Sequence, residues 1–484
     1  MNHLTSAKSP KINDREWGCI SMNTTPFPNV DFRLIWRGEM VHFILSQLLK
    51  YFFLLAICTL HAHQELEVRL GTKTHLKPIY LTTLHASTDT IAEDLRSVLA
   101  YDLAHNGYSS IVPVLDRAEQ KISWPDPLSR VDSSFWKKEQ IPIVIAIEAT
   151  REKFAATLIH IEKGTTKRYR EIPIKDRTAI HQLADAIQKD LFGVQGIASL
   201  RILFSQRLKN ADSRGQEWFS DIWMSDWDGA NAKRLTMAKG YCMSPGFFPT
   251  PKSSTYYFVS TNRGQSKIYR SSLTDSKVEE WINLRGNQML PAMAKDGSMI
   301  AFITDAAGRP DLFLQPLDSH GKEIGRPRQL FSAPNATQAS PTFSPDGRQI
   351  AFVSDKEGSP RIYLLDIRDP RESRRPDPKL LTRKNRENTS PAWSPDGKKL
   401  AYSARADGVR QIWIYDFASH EEWQLTSGPE NKENPAWAPD SLHLIYNTET
   451  RDVSELYVIN LHQQEPIQIN LGFGQKRFAS WEIR

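Results

Sequence analysis

The sequence predicts a small α/β domain followed by an all-β, six-bladed β-propeller that its own C-terminal strand closes. Three observations carry this reading. A short apolar segment stands near residue 60, mixed strand and helix periodicity follows to about Gly193, and a motif then recurs every 44–50 residues. The domains expected are residues 1–62 (an extension plus a signal peptide), 63–193 (α/β) and 194–484 (propeller).

The apolar segment runs Phe52-Phe-Leu-Leu-Ala-Ile-Cys-Thr-Leu60, after Lys50 and before His61-Ala-His-Gln64. It is far shorter than the ~20 residues of a bilayer-spanning helix and has the length of a secretory signal core. Starting at Met40 makes it an ordinary signal, with a mature protein beginning near residues 62–64.

In the next segment Pro78-Ile-Tyr-Leu81 reads as a strand. Ile91, Leu95, Val98, Leu99 and Leu103 share a helical face, with Thr88 or Asp89 as cap and Asn106-Gly107 as stop. Strands follow over 110–114, 141–147 and 154–161. Ile180, Leu183, Ala184, Ile187 and Leu191 mark a second helix, stopped by Gly193. One helix is expected over each end of a small mixed sheet.

The repeat is the strongest signal. Pro341-Thr-Phe-Ser-Pro-Asp-Gly347 returns as Pro391-Ala-Trp-Ser-Pro-Asp-Gly397, and in degraded form from Pro291 and from Pro435. Its large apolar position falls at Phe247, Met293, Phe343, Trp393, Trp437 and Trp481. Ser-Pro-Asp-Gly suits a tight turn between two apolar runs, because Pro presets φ, Asp bonds nearby backbone and Gly accepts the exit conformation. Four short strands per period are the mark of a propeller blade. The strand after the turn occurs six times, from residues 201, 256, 300, 350, 400 and 444. The chain ends on an unmatched strand-before-turn at 478–481, which closes the first blade.

Composition narrows the function. There are 62 Lys+Arg against 56 Asp+Glu, a formal charge of +6, with 40% hydrophobic and 10% aromatic residues, enough for packed cores. Residues 361–386 carry nine basic and four acidic side chains, so one surface stretch holds nearly all the excess, and no nucleic-acid partner is expected. Three cysteines, with Cys242 alone in the body of the chain, make no disulfide framework. A propeller also precedes the hydrolase domain of prolyl-oligopeptidase-like enzymes, but no Gly-x-Ser-x-Gly nucleophile elbow occurs here. Asp226-Trp-Asp228-Gly229 lacks the later ligands of a calcium loop and reads as a turn. A surface-anchored propeller binding protein, lipidated at Cys58, is the remaining rival, although Ile57 is wrong for a lipoprotein box.

An export signal, an α/β domain and Pro-x-Trp-Ser-Pro-Asp-Gly repeats in this order resemble the TolB family, the periplasmic propeller proteins of the Tol-Pal system. The resemblance covers residues 65–484 and includes Glu67-Val68-Arg69-Leu70, Lys77-Pro-Ile-Tyr80, Phe192-Gly-Val-Gln-Gly-Ile197 and Met243-Ser-Pro245. The sequence departs from it at Pro249-Thr-Pro-Lys252 and in the insert at 369–377. The resemblance implies a non-enzymatic periplasmic adaptor without cofactor or metal that supports outer-membrane integrity and invagination at division. Its partners would be a Pal-like lipoprotein, a TolA-like inner-membrane protein and other outer-membrane proteins. Glu67, Val68, Arg69 and Leu70 would serve the TolA-like partner. The loops before the inner strands (287–290, 337–340, 388–390, 431–434) would serve the Pal-like one, through Asn287, Gln288, Leu290, Gln338, Ala339, Asn388, Thr389 and Glu433. Substituting Asn287, Gln288 and Gln338 is expected to leave stability unchanged.

Overall fold

In a strand buried on both faces apolar residues run continuously. This holds for Ile79, Tyr80 and Leu81 in the first strand, Lys77–His85 (β1), all of them buried. The computed structural model describes residues 76–483 apart from 86–88, 123–132, 210–217, 238–239, 251–252, 262–263, 276, 368–376, 464 and 470. The signal segment, residues 67–70, Thr88 and nearly all of the basic insert lie outside the described residues.

Helix α1 (Thr90–Ala104) begins at Asp89, whose side chain accepts the Ile91 N–H at 3.0 Å. Leu95, Val98, Leu99 and Leu103 are buried as expected; Ile91 is 41% exposed, and Ala92 holds the buried place of the first turn. Parallel to β1 run β2 (Ser109–Val112) on one side and β3 (Ile143–Ala149) on the other. Two short helices, α2 (Asp116–Glu119) and α3 (Ser133–Lys138), precede β3. Antiparallel β4 (Lys153–His160) then pairs with β5 (Thr165–Arg168) and with β6 (Ile172–Pro173), giving the order β2-β1-β3-β4-β5. Helix α4 (Arg177–Phe192) is capped by Asp176 and ends at Gly193, whose φ of 73° is the left-handed conformation glycine accepts without strain.

The helices do not cover opposite ends of the sheet. α1 and α4 pack side by side, and both bury their apolar faces with Ile79, Ile143, Ile145 and Ile147. Tyr80, Val144 and Ala146, on the other face, are covered by Trp136 and Ala118. After α4 the linker is pinned: Asp185 accepts from the N–H groups of Ala198 (2.8 Å) and Ser199 (3.1 Å) and from the Ser199 hydroxyl (2.6 Å). A Cβ at Gly196 would lie 2.4 Å from the Asp185 carboxylate, so only glycine fits there.

Six four-stranded sheets follow. Blade 1 contains Arg201–Lys209, Trp218–Asp226 and Lys233–Arg234, and its inner strand is the C-terminal Gln475–Trp481. The inner strands of blades 2 to 6 are Cys242–Phe247, Gln288–Met293, Gln338–Phe343, Asn388–Trp393 and Asn431–Trp437. Closure occurs as expected, with Trp481 opposite Ile202 and Lys476 opposite Gln206. In the Ser-Pro-Asp-Gly turns the Ser344 hydroxyl donates to Asp346 (2.6 Å) and accepts the Gln349 N–H (2.9 Å); Ser394, Asp396 and Lys399 repeat both contacts.

Antiparallel connectivity puts the turns between strands 1 and 2 and between strands 3 and 4 on one face of the ring. The α/β region packs on that face. Its core is continuous with Ile202, Phe204, Trp227, Val458 and Trp481, and residues Lys73–Arg484 form one compact unit. Polar contacts seal the seam: Gln463 donates to the Ala104 carbonyl (2.8 Å), and the Gly107 N–H donates to Gln463 (3.1 Å). Among the described residues no helix is long and apolar enough to cross a membrane.

His443 is the charged member of this seam. Its Nδ1 meets the Asp440 carboxylate at 2.6 Å and its Nε2 meets the His105 carbonyl at 2.9 Å. Both partners only accept, so both ring nitrogens donate and the ring is an imidazolium. Burial disfavours the charge, but Asp440 outweighs it and holds the pKa above the ordinary 6.5. A raised histidine pKa contributes stability that is complete below pH 6.5 and lost as pH rises through the raised value. Asp102, pushed up to about 6 by burial, acts in the same direction at lower pH. Melting of the parent and His443→Gln between pH 6 and 9 isolates the His443 share. The parent should lose more stability than the variant as pH rises across that range, and parallel curves would overturn the assignment.

Candidate functional site: the open mouth of the ring

The face away from the α/β region is formed by the loops leading into each inner strand and those between the second and third strands. Just inside it, every inner strand breaks register with its neighbour. Ser244, Leu290, Ser340, Ser390, Asn434 and Phe478 hold φ between 44° and 53° at these six bulges. Five are followed by proline, which has no N–H to give a ladder and is tolerated where the ladder is already interrupted. The bulges line a narrow throat of about 170 Å³ on the ring axis. Towards the α/β region a cavity of about 450 Å³ opens, lined by the large residues of the repeat and by the linker.

The structure corrects the expectation that residues 287–290, 337–340, 388–390 and 431–434 are loops. The inner strands start there, and in three of them the first residue, Gln288, Gln338 or Asn388, points inward as a clamp to the preceding blade. Gln288 is fully buried, accepts the Ile268 N–H (3.1 Å) and donates to the Ile282 and Leu284 carbonyls (2.9 Å each). Gln338 is also buried; its backbone N–H donates to the Pro310 carbonyl (3.1 Å), and with its amide nitrogen turned toward the preceding blade the side chain reaches that carbonyl and the Asp311 carboxylate. Asn388 donates to Thr382 Oγ1 (2.8 Å) and the Asn385 carbonyl (2.9 Å). Lys476, second in the inner strand of blade 1, makes an equivalent contact to blade 6, buried with both Glu455 oxygens at 2.9 Å. Gln288, Gln338 and Asn388 are therefore structural groups with no free surface to offer.

The remaining candidates are half-buried at the mouth. Asn287 is braced by Asp305 (2.6 Å) and accepts the Ser266 N–H. Leu290 lines the throat, and Ala339 precedes a bulge. Thr389 and Glu433 are brought together by Arg410, whose guanidinium donates to Thr389 Oγ1 (3.3 Å) and pairs with Glu433 (3.3 Å). The same guanidinium lies 3.6 Å from Glu387, which Arg405 also binds at 3.0 Å. Arg477 pairs with Glu449, so alternating charges run along the mouth across blades 5, 6 and 1. Burial raises the Glu449 pKa although Arg477 opposes it.

Sequence reading missed the most exposed large apolar groups among the described residues. Phe473 is 92% and Met237 84% exposed, and both sit on loops entering inner strands, at the rim of this same face. Gly472-Phe473-Gly474 was the available signal: an aromatic between two glycines at φ 72° and 93° is held out on a turn with no strand to bury it.

Comparisons with known proteins agree with this architecture. The family model described as the TolB beta propeller domain matches residues 188–483. A protein TolB homolog of Protochlamydia amoebophila is 40% identical over 307 residues, 60% of this chain and 65% of the relative. Another from Chlamydia caviae is 34% identical over 292 residues, 59% of this chain and 64% of the relative. The chain thus spans just under two thirds of the length of these curated relatives. The crystal structure of TolB from Acinetobacter baumannii matches with a TM-score of 0.67 at 21% identity, covering 85% of this chain and 98% of that one, a likeness of fold. With six blades, a C-terminal latch and a family model spanning the whole propeller, the chain belongs to the TolB β-propeller family.

Proposed function

We propose that this protein is a periplasmic, non-catalytic adaptor of a Tol-Pal system. Its open mouth holds a Pal-like lipoprotein and residues 67–70 engage a TolA-like inner-membrane protein. The linkage would support outer-membrane integrity as the cell divides. The observation that carries the reading is the chemistry of the mouth: Phe473 and Met237 project from its rim beside a chain of paired charges. Exposed apolar anchors next to polar groups are how a stable protein presents a binding surface, since a few anchors supply most of the affinity and charges fix orientation.

Phe473→Ala should weaken binding of a purified Pal-like domain at least ~10-fold, the cost of one buried aromatic anchor. Its melting temperature should not move, since the side chain touches little else. Charge reversal at Arg69 should weaken a TolA-like partner and spare the Pal-like one. Calorimetry with both partners tests this. Parental Pal-like affinity in Phe473→Ala, or loss of both partners in either variant, would overturn the two-surface reading.

A further inference from the structure

Where α4 meets blade 1 lies a polar cluster that neither the propeller nor its mouth uses. His181 comes from the first turns of α4, Asp226 ends the strand Trp218–Asp226, and Asp228 stands in the turn that follows. One ligand atom from each lies within 4.8 Å of the other two. We propose that His181, Asp226 and Asp228 form a divalent-metal site of the imidazole–carboxylate kind that zinc fills.

The geometry of His181 is the main argument. The side chain is 2% exposed, and its Nδ1 lies 2.7 Å from Asp102 Oδ2. A carboxylate only accepts, so Nδ1 carries a hydrogen and donates it. Nε2 is then aimed at the acidic pair, 3.9 Å from Asp228 Oδ2, and has no hydrogen-bond partner. That distance is too long for a hydrogen bond and leaves a buried nitrogen facing carboxylate oxygens. A metal ion satisfies the nitrogen and both carboxylates at once.

Surrounding groups are arranged as they are behind metal ligands. Asp102 orients the imidazole and is itself held by Trp227 Nε1 at 2.9 Å, a carboxylate–histidine pair of the sort that fixes the ligating tautomer. Asn231 donates to Asp226 (2.7 Å), while Arg177 and the Ala230 N–H hold Asp228. Charge points the same way. Arg177 offsets one carboxylate of the Asp226–Asp228 pair, and a divalent ion adds the positive charge that offsets the other. Asp226 is half-exposed and gives the ion a route in. Tetrahedral ligands at zinc lie about 3.4 Å apart, so side-chain adjustments of about 1 Å complete the site. Its ligands come from α4 and from blade 1, so an ion there ties the α/β region to the ring.

The test uses the full chain without a histidine tag, stripped with a chelator and titrated with zinc against a chromophoric competitor. The parent should bind one zinc more tightly than the competitor's micromolar range and melt at a higher temperature with zinc than without. Asp226→Asn, at a half-exposed position, and His181→Gln should each lose at least ~10-fold in zinc affinity and show no zinc-dependent rise in melting temperature. Circular dichroism of the metal-free variants confirms that they fold. Absent stoichiometric zinc, parental affinity in both variants, or tighter calcium than zinc would overturn the proposal.

Discussion

Removing residues 478–484 should leave the protein at the edge of folding. Trp481 is buried in the core that joins the ring to the α/β region, and its Nε1 donates to the Ala436 carbonyl of blade 6 at 3.2 Å. Trp437 makes the same bond to Ala392 at 3.1 Å, so at these two junctions a tryptophan stitches a blade to the one before. Glu482 accepts from the Arg201 backbone (3.1 Å) and from its Nε (2.9 Å), fastening the two ends of the propeller together. Loss of a buried tryptophan alone costs about 3–5 kcal/mol, and charge-assisted hydrogen bonds about 1.5–3 kcal/mol. Against a total stability of about 5–15 kcal/mol, little remains, and Arg201–Lys209 becomes an open edge that invites aggregation. Denaturant melts of the truncated chain measure this. An unchanged midpoint would mean that the latch does not hold the ring.

The second large effect is expected from Gln288→Ala combined with Gln338→Ala. Gln288→Ala leaves the buried Ile268 N–H without its acceptor, and Gln338→Ala removes the amide that faces the buried Asp311 carboxylate, at about 1–3 kcal/mol per site. The sites belong to different blades and share no hydrogen-bond partner, so the costs should add, to about 2–6 kcal/mol. Asn287→Ala, half-buried at the mouth, should cost less than either. If the double variant melts with the parent, the amides are not clamps and the original expectation of exposed loops is restored.

The contrast between Asn287 and Gln288 shows where sequence reading stops. Both are polar, adjacent and ahead of an apolar strand, and composition alone makes both look like loop. In the ring one side chain turns toward the mouth and the other into the junction between blades, because alternate residues of a strand face opposite ways. Which way is inward depends on the neighbouring blade, which local sequence does not contain. Ile91 fails similarly: helical periodicity defines a face, but the sheet it meets decides how far that face is covered. The side-by-side packing of α1 and α4 is a third case, since either helix alone fits either side of the sheet.

Local chemistry determined what repeats or ends within a few residues. It fixed the Ser-Pro-Asp-Gly turns, the period of the blades, a helix cap at residue 88 or 89, the stop at Gly193 and the unmatched last strand that had to close the first blade. These follow from φ limits, side-chain-to-backbone bonds and the need of a sheet edge for a partner. Tertiary structure alone decided the contacts between distant residues: His181 against Asp226 and Asp228, His443 against His105, the amide clamps, and Phe473 at the rim. In each the energy depends on burial and on an approach of a few ångströms, quantities that exist only once the ring has closed.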